Sequence, residues 1–91
     1  MSVLERIEQR IENMSTMLTR FGINTAEFAR FDNGSVFTHS MRACLSCDNS
    51  SICTAWLAQA DGEFRHVPEF CPNGRRFAHT KALLGVEREP R

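Results

Sequence analysis

The sequence contains no long apolar run and no excess of either charge. No segment approaches the roughly 18 apolar residues that a membrane-crossing helix requires, and the first residues alternate charged with aliphatic side chains, unlike a secretory signal. Eleven basic residues balance eleven acidic ones, which argues against a domain that holds nucleic acid mainly by charge. We therefore expect a cytoplasmic protein whose partners are neither membranes nor nucleic acids.

Familiar catalytic motifs are also lacking. There is no glycine-rich phosphate loop and no H-E-x-x-H motif, and none of the three histidines has an Asp or Ser partner at a recognisable spacing. A chain of 91 residues leaves little room for a substrate pocket, so we do not expect an enzyme. The enzymatic alternative is a thiol oxidoreductase using Cys44 and Cys47, but a C-terminal helix end does not lower the pKa of Cys44.

Strand-forming segments are nearly absent, whereas helical periodicity recurs along the chain. We expect one all-α domain over residues 1–91, a small bundle of about five helices with a cysteine-containing helical core over 35–84 and a frayed tail over 86–91. Gly22 and Gly85 are the predicted stops of the first and last helices, and Ser35 is the predicted cap of the third. The predicted helices cover about 2–21, 25–31, 35–47, 50–60 and 72–84.

Apolar residues in the first helix are spaced alternately by three and four, a seam of nearly three heptads. An amphipathic surface helix commonly packs such a seam on the rest of its own domain. The alternative is a face that binds a second copy of the chain or another protein. The candidate partner-binding residues are Leu4, Ile7, Ile11, Met14 and Leu18.

The four cysteines form the pattern C-x2-C-x5-C-x17-C, at Cys44, Cys47, Cys53 and Cys71. Stable disulfides are uncommon in a reducing cytoplasm, so the pattern favours one metal centre that joins the C-terminal helices. All four positions are predicted helix ends, where we expect the thiols to ionise more easily, Cys53 and Cys71 through unpaired backbone N–H groups. Core packing, which is common for a single buried cysteine, accounts less well for four cysteines so close together.

The spacing alone leaves the metal open. Structural zinc commonly uses two C-x2-C-like pairs, and only the first half of the pattern has this form. With zinc, His39, His66 or His79 would be substitute ligands. A ferredoxin-type electron carrier would more often show C-x2-C-x2-C, which is missing.

The run formed by Cys44, Cys47 and Cys53 resembles the cluster-binding cysteines of WhiB-like proteins and of the fumarate-and-nitrate-reduction class of oxygen-sensing regulators. The resemblance implies a [4Fe-4S] cluster, for which Cys71 would be the fourth ligand. Neither the GVWGG turn of the WhiB-like proteins nor the helix-turn-helix domain of the other class is present. Their regulatory function therefore does not transfer with the cysteines.

The segments RACLSCDNSSICTAWL and PEFCPNGRRF carry a wider resemblance. They are similar to a family of small bacterial domains of unknown function with the pattern C-x2-C-x5-C-x2-WL and FCPN. This resemblance implies that the cysteines and the tryptophan form one unit, and it brings no established activity. The matching positions are Cys44, Cys47, Cys53, Trp56, Leu57, Phe70, Cys71, Pro72 and Asn73.

Aromatic and basic residues near the cysteines would suit a cluster. Trp56 lies one helical turn after Cys53 and Phe70 precedes Cys71, so both could shield a cluster from water. Arg42 and Arg75 could offset its negative charge. We expect a metal-binding protein with a [4Fe-4S] cluster and a redox-sensing or regulatory role. The alternative is a structural zinc or metal-free module that binds a protein through its N-terminal helix.

Overall fold

The computed structural model describes residues 2–88, with side chains described as far as residue 85, and this part of the chain is helical without strands. The all-α prediction is therefore confirmed for the described residues, and a 3-10 helix, Phe31–Gly34, lies between the second and third α-helices. The α-helices are α1 (Val3–Arg20), α2 (Thr25–Arg30), α3 (Ser35–Leu45), α4 (Ser50–Gln59) and α5 (Gly74–Arg88).

The apolar seam of α1 is divided along its length. Leu4, Ile7 and Ile11 are 64%, 38% and 41% exposed, whereas Met14 and Leu18 are only 4% and 1% exposed. The C-terminal half of the seam packs on the rest of the chain, as an amphipathic helix commonly does. The partner-binding interpretation is therefore wrong for Met14 and Leu18, whose side chains are already buried by their own chain.

Two fully buried phenylalanines connect the N-terminal and C-terminal helices. Phe28 of α2 and Phe77 of α5 meet edge to face, with ring centroids 5.4 Å apart, a geometry that aromatic pairs prefer. The core also contains Met17, Phe21, Ile23, Leu57 and Leu84.

Arg20, at the end of α1, contacts the end of α4. Its Nη1 donates to the carbonyl oxygens of Leu57 and Ala60, at 2.8 and 2.5 Å. A cation is favourable there because the last carbonyls of a helix lack helical partners and carry partial negative charge. The Arg20 carbonyl accepts from the backbone N–H of Phe64 at 2.9 Å, which holds the loop after α4 against α1.

Two predicted helix boundaries are wrong. Ser35 is the first residue of α3 and not its cap, because the chain enters the helix through three residues with positive φ, from Asp32 to Gly34. Gly85 does not stop the last helix, which continues to Arg88. A helical glycine costs only about 1 kcal/mol relative to alanine, which the packing of α5 can offset.

The predicted tail over 86–91 overlaps the end of α5, and its residues 89–91 lie outside the described part of the chain. Every helix within residues 2–88 is too short or too polar to cross a bilayer.

Candidate metal centre

All four cysteines line one cavity between α1, the α3–α4 turn and the turn before α5. The space open to the centre of a water-sized sphere is about 30 Å³, and the whole atom-free space, including the mouth, is about 380 Å³. The four thiols are half-buried and unbridged. Cysteines that are distant in sequence thus line the same cavity.

Short backbone turns position the cysteines around this cavity. Cys44 lies in the last turn of α3, and its carbonyl accepts from the Cys47 N–H at 3.2 Å. Cys53 lies in the first turn of α4, and its N–H donates to the Asn49 carbonyl at 2.8 Å. Cys71 precedes α5 in a turn in which its N–H donates to the Pro68 carbonyl at 3.0 Å. Each thiol is therefore presented by a helix end or a turn.

Two asparagines donate hydrogen bonds to cysteine sulfurs. Asn73 Nδ2 lies 3.2 Å from Cys44 Sγ, and the Asn49 backbone N–H lies 3.3 Å from Cys47 Sγ. The Asn73 backbone N–H also donates to the thiol of Cys71. Donors of this kind stabilise a thiolate and tune a metal bound to it. Asn73 is the final residue of the FCPN pattern, and these hydrogen bonds to Cys44 and Cys71 give it a structural role.

Three of the metal-free thiols, those of Cys44, Cys53 and Cys71, resist ionisation. Burial, followed by repulsion from neighbouring cysteines, raises the pKa of Cys44 and of Cys53 from 9.0 to about 11. For Cys44 the hydrogen bond from Asn73 opposes this shift. Burial also raises the pKa of Cys71. The expectation that helix ends make these three thiols easier to ionise is therefore wrong, because desolvation outweighs the N–H groups and the helix dipole.

Arg10 of α1 is the arginine that lines the cavity, and it was not predicted. Its Nη1 donates to the carbonyl oxygens of Cys44, Leu45 and Cys47, at 3.1, 3.1 and 2.6 Å. This guanidinium binds carbonyls at the C-terminal end of α3 and just after it, where the helix dipole carries partial negative charge. Nothing local in the sequence marks a contact that spans more than thirty residues. The predicted arginines, Arg42 and Arg75, are exposed and lie outside the cavity lining.

The two aromatic residues predicted near the cysteines lie at different depths from the cavity. Phe70 lines the cavity, whereas Trp56 lies behind it, with their ring centroids 6.3 Å apart. Trp56 also packs edge to face on Phe64, at 5.0 Å. Phe70 therefore contacts the cavity directly, whereas Trp56 contacts Phe70 from outside the lining. The substitute zinc ligands His39, His66 and His79 are exposed and outside the cavity lining.

Among the described residues, no group of three or more His, Cys, Asp and Glu side chains is arranged to hold one metal ion. The cysteines surround a common space and do not converge on a single point.

A family model matches residues 1–83, which include all four cysteines, Trp56 and the FCPN segment. The chain belongs to the DUF6455 family. This is a family of unknown function, in agreement with the resemblance to an unknown-function domain. Membership of DUF6455 assigns neither a ligand nor an activity, so the cysteine pattern and the likeness to iron–sulfur regulators stay predictions. Comparison with curated proteins and with solved structures gave no match.

Proposed function

We propose that this DUF6455 protein is a [4Fe-4S] protein with a redox-sensing or regulatory role, in which Cys44, Cys47, Cys53 and Cys71 each bind one iron. The observation that carries the proposal is that all four cysteines line the same cavity. Four thiolates are the usual ligands of such a cluster.

Either metal group would require the turns that carry the cysteines to move. The space open to the centre of a water-sized sphere is only about 30 Å³, and the atom-free space of about 380 Å³ includes open solvent at the mouth. A [4Fe-4S] core of eight atoms would therefore require the walls of the cavity to open around it. A single zinc ion holds its sulfurs at about 2.3 Å, so the turns carrying the cysteines would have to close inward around it.

The polar surroundings suit an anionic group with thiolate ligands. Arg10 brings positive charge to the lining, and Asn49 and Asn73 supply N–H donors to the sulfurs. Bound iron would counter the burial and the repulsion that raise the pKa of Cys44 and of Cys53. The side chains of Phe70 and Phe77 complete an apolar wall, which limits contact with water and so influences the reduction potential.

The position of α1 supports a regulatory role. The helix contributes Arg10, Asn13, Met14 and Met17 to the lining. When bound, a [4Fe-4S] group can exchange an electron and react with oxygen. A change at the cysteines would move the backbone carbonyls that Arg10 binds. The packing of α1 against the rest of the chain would then change as well. The exposed aliphatic face at the other end of α1, Val3, Leu4, Ile7 and Ile11, is the surface through which a partner protein or second copy would sense that change.

Anaerobic purification followed by iron, sulfide and zinc analysis tests the proposal. We expect a brown protein with a [4Fe-4S] electronic spectrum and nearly equal iron and sulfide contents. Cys53→Ser should lose the cluster, whereas Ser51→Ala, at an exposed neighbour in the same helix, should retain it. A colourless protein with stoichiometric zinc and no sulfide would overturn the proposal.

The exposed half of the α1 seam favours a second candidate function. The chain would then be a protein-interaction module, with structural zinc or no metal, that uses this apolar face. Zinc without sulfide in the purified protein would support it. A Cys53→Ser variant that still binds the same partner protein as the unmodified chain would also support it.

A further inference from the structure

Two methionines line the same cavity as the four cysteines. Met14 and Met17 lie three residues apart on α1, and both side chains are almost fully buried. The lining therefore contains two thioethers in addition to four thiols. A [4Fe-4S] cluster with four cysteine ligands needs neither thioether, so this feature goes beyond the proposed function.

Neighbouring polar contacts hold this part of α1 over the cavity. Arg10 donates to the carbonyls of Cys44 and Cys47, as described above. Asn13 Nδ2 donates to Thr54 Oγ1 at 2.9 Å. These contacts join α1 to the elements that carry three of the cysteines. Met14 and Met17 therefore line the cavity from a helix that is hydrogen-bonded to both α3 and α4.

We propose that the metal-free cavity binds Cu(I) through cysteine thiolates together with thioether ligation from Met14 and Met17. Soft sulfur ligands favour Cu(I), zinc and iron–sulfur clusters, and of these Cu(I) is the one for which a thioether is a common ligand. Cu(I) is also satisfied by two or three ligands, so it does not require four sulfurs to converge. Each thiol that binds releases its proton to water, and copper remains Cu(I) throughout. Because the thiolates are shared, Cu(I) would compete with cluster assembly.

Methionine is also a common filler of apolar cores, and Met14 and Met17 pack in this one. A methionine-to-leucine change separates the two roles, since it keeps the volume and apolar character and removes the sulfur. Such volume-conserving changes usually cost less than about 1.5 kcal/mol. Met41 provides a matched control, because it packs against the same core from α3 but lies outside the cavity lining.

The test is an anaerobic Cu(I) titration of the reduced, metal-free protein against the chromophoric chelator bathocuproine disulfonate. The unmodified chain should take Cu(I) from the chelator, and the double variant Met14→Leu with Met17→Leu should bind it at least about tenfold more weakly. Met41→Leu should bind like the unmodified chain. Equal affinity in the double variant, or no uptake by the unmodified chain, would overturn the proposal. Circular dichroism melting checks that each variant is folded.

X-ray absorption provides a direct readout of the thioethers. In selenomethionine-labelled protein loaded with Cu(I), the copper edge should show a copper–selenium distance, and the double leucine variant should lose it. Sulfur-only coordination in the labelled protein would contradict ligation by Met14 and Met17.

This inference rests on the cysteine site of the proposed function but not on its cluster. Iron and sulfide contents of the anaerobically purified double variant should match those of the unmodified chain, because no methionine binds iron in the proposal. An unmodified chain that lacks iron and sulfide would overturn the [4Fe-4S] proposal alone. The copper titration would decide the Cu(I) site independently.

Discussion

At the scale of single residues, Asn73 is the polar side chain most closely joined to the cysteines. It is completely buried. Its Nδ2 donates to the Ser40 carbonyl at 3.0 Å as well as to Cys44 Sγ, and its Oδ1 accepts from Arg76 Nη1 at 2.5 Å. A buried amide costs free energy unless such partners satisfy it. Asn73 therefore fixes Cys44 against the start of α5 even without a metal.

Replacing Asn73 should destabilise the metal-free protein. Asn73→Ala leaves a buried carbonyl, a thiol and a guanidinium without their partner, so we expect the free energy of unfolding to fall by about 3 kcal/mol. Gln59→Ala, at an exposed position of α4, should change it by less than about 0.5 kcal/mol. Urea denaturation under reducing conditions measures both. Similar stability in the two variants would show that the Asn73 contacts make no net contribution to the free energy of unfolding.

The raised pKa values of Cys44 and Cys53 predict slow alkylation of the folded, metal-free protein. At pH 8 a pKa of about 11 instead of 9.0 reduces the thiolate fraction by about a hundredfold, and only the thiolate reacts. Peptide mapping by mass spectrometry after iodoacetamide treatment should show this difference between the folded protein and the same protein in denaturant. Equal rates in the two states would contradict the raised pKa values.

The same shifts predict how stability depends on pH. Below pH 9 both thiols keep their protons whether or not the chain is folded, and their contribution to stability is complete. As the pH rises from 9 to about 11, the unfolded chain loses these protons first, so the free energy of unfolding should decrease. Thermal melts of the metal-free protein should show a steeper decrease across this range than melts of a variant with serine at positions 44 and 53.

At the scale of elements, α1 contacts the ends of two other helices through three polar side chains. Arg10 binds carbonyls at the end of α3 and just after it, Asn13 contacts the first turns of α4, and Arg20 binds the carbonyls at the end of α4. Each guanidinium lies where the negative end of a helix dipole requires a cation. Helix α1 is thus held to the other helices by these polar contacts as well as by its apolar face.

We expect Arg10→Gln to weaken the docking of α1. The variant loses a charge-assisted contact with three carbonyls, worth about 2 kcal/mol of unfolding free energy. Arg10→Lys keeps the charge and should recover part of that loss. Arg6→Gln, one turn earlier on an exposed position, is the matched control and should be nearly neutral. Equal urea midpoints for Arg10→Gln and Arg6→Gln would mean that Arg10 does not stabilise the α1 interface.

Local signals explain why much of the fold could be predicted. Periodic apolar residues and the turn at Gly22 define α1, and clustered cysteines indicate a common site because one centre requires several ligands. The contribution of α1 to that site could not be predicted in the same way. Arg10 and Met14 look like ordinary members of an amphipathic helix, and only tertiary packing shows that they line the cavity. Likewise, burial outweighs the helix-end effect on Cys53, and burial cannot be deduced from spacing.

At the scale of the whole molecule, the described chain is elongated, with extents of 50 × 29 × 19 Å. An α-helix of 18 residues is about 27 Å long, so α1 alone has about half the length of the long axis. Its C-terminal half covers the cysteine cavity and the core, whereas its N-terminal half presents exposed aliphatic side chains. Residues of the same seam therefore lie in two environments, one buried and one exposed. Substitutions in the two halves should change the free energy of unfolding by different amounts.

Alanine substitutions along the seam should reveal this division. Leu18→Ala removes a buried side chain, so the free energy of unfolding should fall by about 3 kcal/mol. Leu4→Ala is the same chemical change at an exposed position, and we expect a loss below about 0.5 kcal/mol. Urea denaturation at several protein concentrations measures both variants. A large loss for Leu4→Ala that grows with protein concentration would contradict an exposed N-terminal half and show that a second copy covers Leu4 in solution.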